Sequence, residues 1–527
     1  MPVRRISNNF AHQNSQSFTV LKGTMRIQLP ESFDPAQITA QPGERRNHSE
    51  STNTSQYISR QAHTESNART YAKNFKIVME QARGIFVKDV DGHLFYDCLC
   101  GAGTLALGHN HPVVKDAVLK AVESDLPLLT LDMTTPVKDA FVEELFKTLP
   151  AEFSKDAKVQ FCGPSGADAI EAAIKLAKIA TGRNGIFAFH GGYHGQTNGA
   201  LAVMGNVDTK APVSGLMAGV QFLPFPYQFR NPMGVSGAAD CDVACINYIE
   251  NMLTDAESGI VKPAAILMEV VQGEGGTVPA SDFFMQEIRR ITREHDILLI
   301  IDEVQTGFGR TGKMFAFEHS GITPDVVVMS KALGGSLPLA AVMYHKRLDV
   351  WNSGAHTGTF RGNQLAMAAG RVNMQFIKEN NLAERAVEMG KRFKKNLQAI
   401  AETTNVIGDI RVKGLMIGIE LINPLKPENR LGHPAAFPEL SKKVRAACIE
   451  RGLMVELGGR HSSVVRMLPP LIITEEQIDH VCEIFKSALA AAEESVHAEM
   501  AMLETVNIAT DLGNAFETVL HAKPSVN

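Results

Sequence analysis

Two short apolar runs, each closed by a charged residue, constrain this chain most. Ile297 to Ile301 runs into Asp302 and Glu303, and Val326 to Met329 runs into Ser330 and Lys331. Both runs are rich in β-branched residues and unbroken by charge, as strands buried on both faces of a parallel sheet are. Ligands of open α/β sheets gather outside the carboxyl ends of the strands. One edge therefore receives both an anion and an amine. The amine can form a Schiff base, and the carboxylate can keep a pyridine nitrogen protonated, which together suit pyridoxal phosphate. A lone Asp or Lys just past a strand is more often a solvated turn residue, so this reading requires the rest of a cofactor site.

Other segments supply it. Phe161 to Ala169 contains the small-residue turn Gly163-Pro164-Ser165-Gly166-Ala167 and leads into a helix with the apolar stripe Ile170, Ala173, Ile174 and Ala177. Glu171 and Lys175 are spaced there as an i,i+4 ion pair. Unpaired N–H groups at such a helix start suit a phosphate, although an ordinary capped helix has the same sequence. Tyr193, among glycines after the apolar Ile186 to Phe189, can stack on a flat ring or sit partly buried in the core. Ala264 to Met268 delivers Glu269 and Glu274 to the same edge, and buried carboxylates need partners. Arg466, on the apolar strand Val464 to Leu468, is either a structural ion-pair member or a clamp for a substrate carboxylate.

The composition limits the alternatives. A chain of 527 residues can bury a large core and should hold two or more domains. A net charge of −5 without a basic stripe argues against nucleic acid. No apolar run approaches the roughly 20 residues that span a bilayer, and the first residues lack a secretory core. Seven scattered cysteines read as reduced thiols of a cytoplasmic protein. Cys98 and Cys100, two apart on one face of a predicted strand, read as core. Cys241 and Cys245 lack a histidine partner for zinc, and His109 and His111 read as a turn opening a helix at Pro112, so no metal site is expected.

The organisation is α/β. Residues 1–63 read as a disordered polar tail. Residues 64–122, including a hairpin at 84–99, form an N-terminal segment expected to pack with the small domain. Residues 123–380 alternate helices with buried strands, giving a large cofactor-binding domain with a mostly parallel sheet between helices. Residues 381–492 mix strands near 415–421 and 463–467 with helices, a smaller α+β domain, and 493–527 form a helical tail.

Five motifs occur in order: Ser-Gly-Ala-Asp-Ala at 165–169, Gly-Tyr-His-Gly at 192–195, Asp-Glu-Val-Gln-Thr-Gly-Phe-Gly-Arg-Thr-Gly at 302–312, Ser-Lys-Ala-Leu-Gly-Gly at 330–335 and Gly-Thr-Phe-Arg-Gly-Asn at 358–363. With them, residues 65–490 resemble a class III aminotransferase of the fold-type I pyridoxal phosphate-dependent enzymes. Within that class, Gly101 to His109, Leu131 to Lys138, Phe161 to Pro164 and Gly354 to Asn363 resemble the diaminobutyrate–2-oxoglutarate branch. The resemblance implies that Lys331 carries the cofactor as a Schiff base and moves the proton, that Asp302 pairs with the pyridine nitrogen, and that Gln305 bonds the ring hydroxyl. It implies Ser165, Gly166 and Ala167 at the phosphate, Tyr193 stacked on the ring, and Thr359 reaching the phosphate of the other subunit of a homodimer. Glu274 and Arg466 resemble the family's gate, closed for a diamine and opened for the α-carboxylate of 2-oxoglutarate, and Tyr71 is expected beside them at the substrate.

Two residues depart from ornithine-type relatives. Gln196 stands where they carry an arginine, and Ala102 stands near their aromatic. The expected reaction moves the 4-amino group of L-2,4-diaminobutanoate to 2-oxoglutarate, giving aspartate 4-semialdehyde and glutamate in a ping-pong cycle. The alternatives are another ω-aminotransferase, acting on ornithine, 4-aminobutanoate or a related diamine, and a non-catalytic cofactor-binding regulator.

Overall fold

The computed structural model describes residues 52–521. Its centre is a seven-stranded sheet in the order Ala157–Phe161, Ala341–His345, Val326–Met329, Leu298–Asp302, Ala265–Met268, Ile186–Phe189, Val220–Leu223. Every neighbouring pair is parallel except the two that involve Ala341–His345, which runs against both of its neighbours. The four strands Ile186–Phe189, Ala265–Met268, Leu298–Asp302 and Val326–Met329 are buried at every position. Their continuous apolar runs reflect cover on both faces. Parallel register sets Asp302 opposite Val328, so the aspartate leaves its strand beside the end of the strand that precedes Lys331.

One cover is the helix Gly166–Thr181, which buries Ala169, Ala172, Ala173 and Ala177 against Ile186, Ala265 and Val328. Alanines at those positions let the helix approach the sheet closely, and Gly182 ends it in the left-handed conformation at φ 67°. Glu171 and Lys175, spaced for an ion pair, turn instead to tertiary partners. Glu171 accepts N–H bonds from Gly199 and Ala200, and Lys175 donates to the Ala355 carbonyl. Such partners outweigh a surface pair worth a few tenths of a kcal/mol.

A second, antiparallel sheet orders Ile407–Lys413, Met416–Leu421, Val464–Met467 and Glu456–Gly458. Helices Leu382–Ala401, Pro438–Glu450 and Glu475–His521 accompany it. The hairpin Phe86–Asp89 and Leu94–Asp97 is joined in parallel by Leu453–Met454, which ties the N-terminal segment to this C-terminal region. The last helix is continuous through 47 residues, so the tail expected from 493 extends an element that begins at Glu475.

Two readings of the sequence change. Residues 52–63, assigned to the disordered tail, belong to a helix that spans Thr52–Thr64, and Thr54 bonds Asp91 at the hairpin turn. Residues 1–51 and 522–527 lie outside the described residues. Cys98 and Cys100 are buried, but the strand stops at Asp97, and Cys100 enters a tight turn at φ 47°. The Asp97 carboxylate, accepting the Leu99 and Cys100 N–H groups, ends the strand there. All seven cysteines are buried and free.

Helix Gln364–Glu379 braces the lysine turn. Asn373 Nδ2 donates to the Ala332 carbonyl at 2.8 Å. A Cβ on Gly370 would lie 2.1 Å from the Leu333 carbonyl oxygen and 2.9 Å from Phe141. Backbone cannot rotate away as a side chain can. Gly370→Ala should therefore destabilise the protein by about 1–3 kcal/mol and loosen the turn at Lys331. Chemical denaturation read alongside cofactor retention checks this, and an unchanged midpoint contradicts it.

Candidate active site

Strand ends, one helix start and the second sheet converge on a single buried site. Asp302 is the last residue of its strand and is buried. Its Oδ1 accepts the Val304 N–H at 3.0 Å, and its Oδ2 lies 2.8 Å from His194 Nδ1. His194 is itself buried, and its Nε2 has no hydrogen-bond partner. Burial pushes the pKa of this imidazole down, but the Asp302 bond and charge, helped by Glu269, push it up further, and the net shift is upward. The contact with Asp302 thus favours the protonated imidazole against the cost of burial. His194 lies in the Gly-Tyr-His-Gly motif, but no sequence pattern assigned it a role. Its partner lies 108 residues away, a distance that local pattern cannot read.

Lys331 follows the strand Val326–Met329 and opens the 3₁₀ turn Lys331–Gly334 with φ 47°. A non-glycine residue there costs of order 1–3 kcal/mol unless its surroundings hold it. The Asn373 bond holds the turn, as does Ser330 Oγ, which donates to the Leu339 carbonyl at 2.9 Å. Burial lowers the lysine pKa, Asp302 opposes that, and nearby Arg466 lowers it further. An amine so placed is more readily neutral and hence nucleophilic.

Ser165 caps helix Gly166–Thr181, its hydroxyl accepting the Asp168 N–H. The first turn carries Gly166 and Ala167, and its aligned N–H groups favour an anion. A Cβ on Gly166 would stand 3.1 Å from both methyls of Val304, two residues past Asp302. One on Gly195 would stand 2.5 Å from Ala167 Cβ. The helix start, the aspartate turn and the tyrosine loop therefore touch. Tyr193 is partly exposed, and its N–H donates to Glu269 Oε1 at 2.9 Å. The other Glu269 oxygen takes the Gly273 N–H, and burial pushes this carboxyl up to about 7. Glu269 thus fastens the tyrosine loop to its own strand end.

Gln305 Nε2 donates to the Ala102 carbonyl at 2.9 Å, so the small-residue turn at 101–103 borders the same site. Gln305 Oε1 accepts from Arg466 Nη2 at 3.3 Å. Arg466 has 1% of its side chain exposed and pairs through Nη1 with Glu274, whose side chain is 40% exposed. Glu456, directly across the strand pair, brings Oε2 to 4.0 Å from Arg466 Nη1 and accepts from the Tyr71 hydroxyl at 2.9 Å. Burial lowers the guanidinium pKa, and Glu274 and Glu456 more than restore it. A Cβ on Gly458 would fall 2.8 Å from Arg466 Cδ, so glycine there makes room for the arginine.

Thr359 stands apart. It is exposed, next to Phe360 at 63% exposure, on a loop that His356 pins to Asp168 at 3.0 Å and Arg361 pins to Asp132 at 2.6 Å. The other residues named from the sequence gather in one chain, and Thr359 lies on the surface near them.

The donor set suits pyridoxal phosphate. It offers an amine for the carbonyl, a buried carboxylate backed by histidine for a protonated ring nitrogen, an amide for the ring hydroxyl and a capped helix start for the phosphate. Glu303, beside Asp302, is structural. It is buried, takes the Phe317 N–H at 3.0 Å, and burial raises it to about 7.

Comparison with known proteins agrees with this geometry. Residues 67–489 match the family model for aminotransferase class-III. A diaminobutyrate–2-oxoglutarate aminotransferase of Rhizobium meliloti is 50% identical over 436 residues, covering 83% of this chain and 92% of that protein. One of Haemophilus influenzae is 47% identical over 437 residues, covering 83% and 95%. The crystal structure of an amine transaminase from an uncultivated Pseudomonas species, in its PLP-bound form, superposes with a TM-score of 0.72 at 26% identity, covering 82% of this chain and 98% of that one. The chain described here belongs to the class-III aminotransferases.

Proposed function

We propose that this protein transfers the 4-amino group of L-2,4-diaminobutanoate to 2-oxoglutarate, yielding aspartate 4-semialdehyde and glutamate. The reading is carried by one observation: a buried guanidinium, Arg466, closed by a half-exposed carboxylate, Glu274, and near enough to Lys331 for its charge to act there. The names and 47–50% identities of the Rhizobium and Haemophilus relatives support the choice of substrates.

When bound, pyridoxal phosphate supplies a carbonyl that takes up the amino group and a ring that accepts electrons released at the substrate carbon. Lys331 holds it and, once displaced, uses Nζ to take a proton from the amine-bearing carbon and return one during transfer. Burial lowers its pKa, which favours the neutral amine that accepts a proton. Asp302 keeps the ring nitrogen protonated, with His194 fixing its carboxylate. Ser165, Gly166 and Ala167 hold the phosphate, Tyr193 covers the ring and Gln305 meets its hydroxyl. With the diamine present Glu274 neutralises Arg466. With the keto acid present Glu274 swings to solvent, which its exposure allows, and Arg466 takes the α-carboxylate.

The working unit proposed is a cytoplasmic homodimer with shared sites. Leu128, Leu129, Leu131, Met133 and Phe360 are exposed apolar side chains, and the Arg361–Asp132 pair links their two segments beside Thr359. A second copy covering them would deliver Thr359 to its neighbour's phosphate. Among the described residues no helix is long and apolar enough to cross a membrane.

A donor screen with 2-oxoglutarate tests the substrate. L-2,4-diaminobutanoate should outrun ornithine and 4-aminobutanoate, and the reverse order would move the assignment to another ω-aminotransferase. Lys331→Ala should leave folded protein that retains cofactor, lose the absorption band of the lysine-bound form and lose at least about 10²–10⁴ in turnover. Near-normal turnover would remove Lys331 from the chemistry and leave a non-catalytic binder in play. Asp302→Asn should lose rate more than cofactor affinity, because an amide bonds the ring nitrogen without balancing its charge. Unaltered single-turnover proton abstraction would contradict that.

The gate makes a separate forecast. Arg466→Ala should weaken 2-oxoglutarate by roughly 2–5 kcal/mol. Glu274→Ala should bind 2-oxoglutarate at least as tightly as the unaltered protein, since Glu456 remains to balance Arg466. Equal losses toward donor and acceptor in both variants, tracking melting temperature, would reduce the pair to a structural one.

A further inference from the structure

Glu456 is absent from every motif read in the sequence, yet its charge acts on Lys331. It begins the strand Glu456–Gly458, directly opposite Arg466 in the antiparallel register. Its side chain is 13% exposed. One oxygen is occupied by the Tyr71 hydroxyl at 2.9 Å. The other, Oε2, is buried without a hydrogen-bond partner and stops 4.0 Å short of Arg466 Nη1. The Arg466 Nε, on a side chain 1% exposed, is likewise unpartnered. A buried carboxylate oxygen left unbonded is costly unless something brought to the site completes it.

The charges say what would complete it. Two carboxyl groups, Glu274 and Glu456, face one guanidinium, so when both are ionised they exceed its charge by one. Burial, with Glu274 nearby, lifts the Glu456 pKa, and Arg466 and Lys331 oppose that lift. An α-keto acid offers this pocket only carboxylates. A diamine whose distal amine sits at Lys331 still carries a second ammonium a few bonds away. That cation satisfies both the excess charge and the idle oxygen.

Resting on the function proposed above, we infer that Glu456 is a specificity-determining residue, accepting the spare α-ammonium of the diamine donor through Oε2, with Tyr71 as the positioning residue that holds the carboxylate in place. It distinguishes a diamine from a monoamine of the same length, and it does so only in the donor half-reaction.

The test compares L-2,4-diaminobutanoate with 4-aminobutanoate, which lacks only the 2-amino group. Donor half-reactions of the holoenzyme are followed by the cofactor's absorbance, in the unaltered protein and in Glu456→Gln. The amide keeps the shape and an acceptor for Tyr71 but loses the charge. The kcat/KM ratio of diamine to monoamine should fall by about 10- to 100-fold, the worth of a charged hydrogen bond. Tyr71→Phe should lower the same ratio to a smaller degree. The melting-temperature rise given by saturating diaminobutanoate should shrink in Glu456→Gln, a reading independent of turnover. Should the unaltered protein process the diamine while the ratio survives Glu456→Gln, both donors losing rate alike, Glu456 is a counter-charge for Arg466 and the inference is overturned. Should the unaltered protein fail to process the diamine at all, the proposed function fails and the inference falls with it.

Discussion

A guanidinium with 1% of its side chain in contact with solvent sets the terms for this site. Removing such a charge from water costs several kcal/mol, and only close counter-charges and hydrogen bonds recover it. Arg466 finds Glu274, Gln305 and Glu456, contributed by the turn between the short strands Val271–Gln272 and Val278–Pro279, the turn after Asp302 and the neighbouring strand of the small sheet. That requirement draws the C-terminal region onto the edge where the large sheet delivers its charges. Of its two carboxylate partners, Glu274 is 40% exposed and Glu456 only 13%.

The rest of the site follows from strand direction. Parallel strands all end on one side, so Asp302, Glu269 and Lys331 leave the sheet together. Each is then fixed by a local device: His194 against Asp302, the Tyr193 and Gly273 N–H groups against Glu269, and the Asn373 bond against the strained Lys331 turn. Glycines at 166, 195 and 458 allow the close approaches that join these devices. The result is a pocket whose polar groups are held before any ligand arrives, which is how binding energy is kept for the reaction.

Much of this was legible in the sequence because it is local. An unbroken β-branched run ending in a charge gives strand, burial and direction at once, and Asp302 and Lys331 stand where that reading puts them. The helix start at Ser165 is equally local. What could not be read depends on contacts across the chain. Glu456, between Val455 and Leu457, reads as the solvent side of a strand until Arg466 is set opposite it. His194 reads as loop until Asp302 meets it. Glu171 and Lys175 have the spacing of a pair, yet tertiary partners claim both. Cys100 was read as strand because alternation carries no sign of the Asp97 cap that bends the chain into positive φ.

The account rests on which nitrogen leaves the donor, and isotope tracing measures that directly. L-2,4-diaminobutanoate labelled with ¹⁵N at the 4-position, incubated with the holoenzyme and 2-oxoglutarate, should pass its label quantitatively into glutamate. The same donor labelled at the 2-position should pass none. Label arriving from the 2-position, or released as free ammonia, would contradict the account.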